Sequence, residues 1–129
     1  MTTLAPRASL FERLGGATGI AAFVDAVVAA HMENPVIRAR FLPYLDTPER
    51  MDAVKGHMCT LLEAGGGGPR AYSGRSMRDA HRGMNISEAE FVAALDDILR
   101  VLGEHGVDEM TRNDVLALAY SLKGEIVRI

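Results

Sequence analysis

The chemistry this chain offers begins with one imidazole, His81, and the unusual stretch in front of it. Gly65 to Pro69 reads Gly-Gly-Gly-Gly-Pro, a turn-rich connection that does not suit a helix. Ser76 and Asp79 then have the Ser-x-x-acid spacing of a capped helix start. That puts His81 on the second turn of a short helix, which Gly83 can end at once. One or two turns are not stable alone, so something else must hold them. A cofactor coordinated by His81 would do so; a surface histidine among Arg78, Asp79 and Arg82 is the alternative. His57 comes second. It lies three residues after Val54 and four before Leu61, on the edge of the apolar stripe Met51, Val54, Met58, Leu61 and Leu62. Met58 has a sulfur able to ligate a metal, but a place in that stripe suits packing. His31 and His105 fall near helix ends, where a cation is favoured and no chemistry is required. Cys59 has no cationic neighbour that the sequence guarantees and reads as an inert buried thiol. Gly65 to Gly68 lacks the Lys-Ser/Thr pair and the preceding strand of a phosphate loop, and fits a hinge.

The elements that must position these groups are all helical. Ser9 and Glu12 cap a single turn ending at Gly15-Gly16. Ile20, Phe23, Val24, Val27, Val28 and His31/Met32 make a helical stripe over about Thr18 to Met32. Asn34-Pro35 opens a short helix to about Phe41, which Pro43 stops. Thr47-Pro48-Glu49 launches a helix to Ala64, and the glycine-rich loop and the His81 helix follow. Ser87 and Glu90 cap a further helix with Phe91, Ala94, Leu95, Ile98, Val101 and Leu102 inward, ended by His105-Gly106. Thr111 and Asp114 open the last, with Val115, Leu118, Ala119, Leu122 and Ile126 inward. No segment alternates apolar and polar residues as a half-buried strand would. The fold class is all-α.

At 129 residues the chain is one domain, read as residues 9–129 behind an N-terminal extension of residues 1–8. Hydrophobic residues at 48% and charged residues at 24% are ordinary for a globular protein. A net charge of −3 without a Lys/Arg cluster argues against nucleic acid as a partner. There is no apolar run long enough for a membrane span, and Met1 to Ser9 lacks the apolar core of a secretion signal. The single cysteine rules out an internal disulfide and agrees with a cytoplasmic location.

Gly67 to His81 reads Gly-Gly-Pro-x-x-Tyr-x-Gly-x-x-Met-x-x-x-His. Together with Gly15-Gly16 after a short first helix, this resembles the truncated haemoglobins, most closely their group I, over roughly residues 9 to 127. The resemblance implies a two-over-two helical sandwich enclosing haem, with His81 as the axial iron ligand. No Cys-x-x-Cys-His signal is present, so the haem is expected to be non-covalent haem b. The last helix also lacks the histidine that some cyanobacterial relatives link to a vinyl group. By the same resemblance the helix carrying His57 covers the distal face. His57 then has three readings: displaceable sixth ligand, propionate contact, or solvated edge residue. Phe41, Val54, Met58, Leu61, Leu62, Tyr72, Met77, Ile86, Phe91, Leu116 and Ala119 match pocket-lining positions. Each could equally be plain core. Arg78, with Lys55 and Arg75, is a candidate propionate partner, although surface charge is the commoner role.

The sequence departs from the family at the distal wall. Val28 stands where many group I proteins have a tyrosine that reaches bound oxygen, and Val54 and Met58 stand where glutamine is common. Loss of a hydrogen bond to a strongly polarised ligand, worth ~1.5–3 kcal/mol, weakens O2 retention ~10–100-fold. His57 is then the one conventional polar group expected there. The stretch from Pro43 to Arg50 is also about five residues longer than the family's usual length. The resemblance implies O2, NO or CO as ligands, and an unidentified electron donor as partner. NO dioxygenation, peroxidase-like chemistry, ligand sensing and electron transfer all remain open, as does a monomer or weak dimer. A haem-free helical interaction domain is the reading of another class.

Overall fold

The computed structural model describes residues 8–129; the extension read over residues 1–8 lies outside the described residues except for Ala8. Seven α-helices follow one another: α1 (Leu10–Arg13), α2 (Gly16–Glu33), α3 (Pro48–Gly65), α4 (Met77–His81), α5 (Glu88–Glu104), α6 (Glu109–Ser121) and α7 (Lys123–Ile126). Two short 3-10 helices, Arg38–Arg40 and Leu42–Asp46, lie between α2 and α3. Among the described residues there is no strand, only an isolated bridge between Ile86 and Val127.

Apolar periodicity sets the packing. α2 packs on α3, α5 packs on α6, and α2 lies against α5, which joins the two pairs. Ile20, Val24, Val27 and Val28 of α2 and Leu102 of α5 are almost wholly withdrawn from water. Burial of each such side chain contributes ~1.5–3 kcal/mol, so this seam is the main source of stability. The described part of the chain is thus the helical sandwich expected from the sequence.

The helix starts follow their caps. Ser9, Ser76, Ser87 and Asp108 each accept a hydrogen bond from the backbone N–H three residues on, and Ser87 with Glu90 forms the full reciprocal box. Three expectations need correction. Thr111 and Asp114 do not open the last helix, because Asp108 has the same three-residue spacing and starts it earlier. Thr111 is instead buried, and its hydroxyl accepts from Arg13 Nη1 at 3.1 Å while Asp114 takes Arg13 Nη2 at 2.6 Å, tying α1 to α6. Asn34 does not open an α-helix to Phe41. Its side-chain oxygen accepts from the Val36 N–H at 3.0 Å, closing a turn that passes into a 3-10 helix. Pro43 lies within the second 3-10 helix rather than ending the first. At Thr47 the helix begins where expected, but the hydroxyl makes no cap bond and is buried without a partner.

α2 can begin so close to α1 only because residue 19 is glycine. A Cβ there would lie 2.1 Å from the Leu14 carbonyl oxygen, which is backbone and cannot turn away. Alanine gains up to ~1 kcal/mol in helix propensity. Overpacking against fixed backbone costs more, ~1–3 kcal/mol. Gly19→Ala is therefore expected to destabilise the protein on balance, read as a lower midpoint in urea unfolding with an unchanged slope.

Candidate functional site

A cavity of about 380 Å³ opens between the two helix pairs and is lined from six of the seven helices. From α2 come Phe23, Val24, Val27 and His31; from α3, Val54, His57, Met58, Leu61 and Leu62. α4 contributes Met77, Ala80 and His81, and α5 contributes Phe91, Ala94, Leu95 and Ile98. Val115, Leu118 and Ala119 of α6, Ile126 of α7, and Leu122 between them complete the walls, with Phe41, Tyr72 and Ile86 from the connections. The size and the mostly apolar walls suit a small-molecule or cofactor site.

α4 places His81 by its own geometry. Residues 77, 80 and 81 share one helix face, so Met77, Ala80 and His81 face inward together. His81 Nδ1 lies 2.8 Å from the Met77 carbonyl oxygen. A carbonyl only accepts, so Nδ1 carries the hydrogen, and a neutral ring then keeps a bare lone pair on Nε2. The helix is held at its exit by the chain end. Arg128 N–H donates to the Ile86 carbonyl at 2.8 Å and Asn85 N–H to the Ile129 carbonyl at 3.0 Å, while α7 packs on α4.

Arg78 does not line the cavity. It is exposed, on the outer face of α4, and Arg75 lines the wall instead. Lys55 is drawn to Asp25 of α2, 3.2 Å away. Leu116 is also absent from the wall, because the inward stripe of α6 runs through Val115, Leu118 and Ala119. The other pocket positions matched from the sequence all lie on this one cavity.

His57 lines the cavity at its exposed edge, and its ring forms no hydrogen bond among the described residues. It lies against the loop before α4 at Gly74, where a Cβ would come within 2.7 Å of both His57 Nδ1 and Tyr72 Oη. Tyr72 donates to the Arg75 carbonyl at 2.5 Å and so braces that loop. Gly74→Ala is expected to swing the His57 ring out of its seat. The check is the change in His57 ring resonances, with α-helical circular dichroism unaltered.

The largest departure from expectation is His31. It is buried, at 4% exposure, and lines the same cavity. His31 Nδ1 lies 2.8 Å from Asp97 Oδ2, and Asn34 Nδ2 donates to both Asp97 oxygens at 3.2 and 3.1 Å. Burial pushes the His31 pKa below the ordinary imidazole value, against the opposing pull of Asp97. The pair is therefore a neutral imidazole donating Nδ1–H to a carboxylate, rather than an ion pair. The sequence signal existed: a histidine in the apolar stripe of α2, with Asp97 one residue before Ile98 in a stripe otherwise apolar. Val28 belongs to the packed core, while Val24 and Val27 form the wall. Cys59 is half-buried; burial first, then the Glu63 and Asp25 charges, push its thiol pKa up, which fits an unreactive sulfur.

No single helix among the described residues is long and apolar enough to cross a membrane. The same residues hold no group of three or more His, Cys, Asp or Glu side chains that could bind a bare metal ion.

Comparison with known proteins agrees with this architecture. The bacterial-like globin family matches residues 9–128. The group 1 truncated hemoglobin GlbN of Synechocystis sp. is 30% identical over 115 residues, covering 86% of this chain and 89% of that protein. The group 1 truncated hemoglobin of Tetrahymena pyriformis is 26% identical over 106 residues, covering 82% and 84%. Its crystal structure in the Fe(III) form superposes with a TM-score of 0.84 at 24% identity, covering 95% of this chain and all of that one. The 2/2 hemoglobin of Synechococcus sp., solved in the cyanomet state with covalently attached heme, gives 0.80 at 24% identity, covering 92% and 95%. With the family matched along nearly its whole described length, this chain is a truncated, two-over-two globin of group I, a family of haem-binding proteins.

Proposed function

We propose that the cavity holds non-covalent haem b through His81 and binds diatomic ligands reversibly, with His57 as a displaceable sixth ligand. The observation that carries this reading is the 2.8 Å contact of His81 Nδ1 with the Met77 carbonyl, which commits Nδ1 and leaves Nε2 as the lone pair in an apolar cavity. An imidazole fixed through its other nitrogen is what an axial iron site requires. Iron protoporphyrin supplies a ligand-binding, redox-active metal that brings four nitrogens of its own, so one histidine suffices. The apolar walls from α2, α3, α5 and α6 would shield a bound haem from water. Arg75 at the wall is the cation suited to a propionate. Arg40 also lines the cavity but is engaged with Glu90, 3.1 Å away.

With haem bound, His57 would compete with an incoming ligand, and apparent affinity would fall by the fraction of protein in which His57 is displaced. The ferric protein is then low-spin, and His57→Ala turns it high-spin. An absorption spectrum of the two ferric proteins tests this, and an unchanged spin state excludes His57 as a ligand. One observation favours a second reading. His57 is exposed and seated on Gly74. That seat suits a residue at the cavity rim, with the iron five-coordinate or water-bound, and a high-spin wild-type ferric spectrum would select it.

A further inference from the structure

The α2–α5 seam carries a second polar site on the same cavity, and none of the roles above uses it. His31 lies there with Phe41 beside it, ring centroids 5.3 Å apart. Asp97 accepts from the Nδ1 side of the ring, and Asn34 holds both Asp97 oxygens. Asn34 in turn donates to the Ala93 carbonyl at 3.4 Å and accepts from Val36 N–H, so the carboxylate is fixed from two directions. His31 Nε2 has no hydrogen bond, yet Thr47 Oγ1 is the only fully buried side-chain polar atom without a partner among the described residues. Nε2 therefore keeps accessible surface. In a residue so deeply buried on the cavity wall, that surface opens onto the cavity.

We infer that His31, oriented by Asp97 and Asn34, is the proton acceptor of this cavity for small neutral weak acids H–X, such as hydrogen peroxide, hydrogen sulfide or hydrogen cyanide. Because Asp97 takes the Nδ1 hydrogen, Nε2 is a bare base rather than a donor. A weak acid crosses the apolar walls uncharged. Its H–X bond breaks heterolytically, the proton passes to Nε2, and the electron pair stays on X⁻, the form that a ferric iron takes as ligand. The Asp97 carboxylate faces the imidazolium so formed and offsets its charge. Burial keeps the free imidazole neutral beforehand, which leaves the base available. This step rests on haem being bound in the cavity; the tautomer of His31 does not.

The test uses the full chain in two measurements. The first is 15N NMR of the histidine rings without haem, where His31 is expected with hydrogen on Nδ1; hydrogen on Nε2 overturns the inference. The second is rapid mixing with the haem-loaded chain. Hydrogen cyanide binding to the ferric form carries a proton, and CO binding to the ferrous form does not. His31→Gln keeps an amide donor toward Asp97 but has no base. It is expected to slow cyanide association ~100-fold, the low end for general-base catalysis, and to leave CO association unchanged. Equal slowing of both would show that His31 only shapes the cavity, and no slowing of either would show that it plays no part; each overturns the inference. Should His31→Gln fail to fold, Asp97→Asn serves instead. Its amide can donate to Nδ1 and shift the hydrogen to Nε2, with the same selective loss expected. A chain that takes up no haem when hemin is added fails the haem-binding reading, and the tautomer measurement then decides on His31 by itself.

Discussion

Replacing His81 with glycine is expected to abolish tight haem retention while leaving the helical fold in place. The side chain is half-buried, and its one hydrogen bond is to the Met77 carbonyl within its own helix, so no other element depends on it. The described core lies elsewhere, along α2, α5 and α6. With haem supplied at 1,000 times its Kd, a ligand that binds only the folded state stabilises it by ~4 kcal/mol, and that increment should vanish in the variant. Thermal unfolding with and without hemin measures it. Added imidazole should restore the Soret band, because the space left by the ring admits a free imidazole. A variant that keeps pigment and axial-histidine signature without imidazole would remove His81 from the site.

Removing the carboxylate in Asp97→Ala is expected to destabilise the fold markedly. It leaves the buried His31 Nδ1–H without its acceptor, while the half-buried Asn34 amide keeps only the Ala93 carbonyl. An unsatisfied buried donor costs ~1–3 kcal/mol, so a loss of that size is expected in urea unfolding. That is a large share of the 5–15 kcal/mol typical of a domain. The same site makes stability depend on pH. His31 has its folded pKa below the ordinary imidazole value of ~6.5, so below that pH the unfolded chain binds a proton that the folded chain does not. Its contribution is full above pH ~6.5 and is lost as the pH falls toward the folded pKa. The groups around it are Asp97, the Asn34 amide, the Phe41 ring and Arg100, whose Nη2 is 3.9 Å from Asp97 Oδ1. The quantity that isolates His31 is the difference between wild type and His31→Gln. That difference should shrink between pH 7 and 5, and a constant difference would show that His31 does not titrate across folding.

Much of this architecture is legible in the sequence because its signals are local. Ser76-x-x-Asp79 fixes where α4 starts, and 3.6-residue periodicity selects Phe91, Ala94, Leu95 and Ile98 as one wall of the cavity. Periodicity also excluded Leu116 from the α6 stripe, and it prevailed over the position-by-position match to the family. Local signals fail where two of them compete. Asp108 and Thr111 both offer a cap, and the earlier one wins because it leaves Thr111 free to receive Arg13 from a helix 98 residues away.

The sequence by itself determined the all-α class, the family, and the identity of His81 as the imidazole on a short tethered helix. The class and the short His81 helix follow from caps and periods within a few turns of chain, and the family from the resemblance carried by Gly15-Gly16 and Gly67 to His81. Only the tertiary structure decided that His31 is a cavity residue rather than a helix-end cation, and that Arg75 rather than Arg78 reaches the wall. His31 and Asp97 are 66 residues apart, and no local pattern links them. Their pairing exists because α2 packs on α5, and in that dry seam a buried imidazole must find a carboxylate or bear the full cost of an unpaired hydrogen.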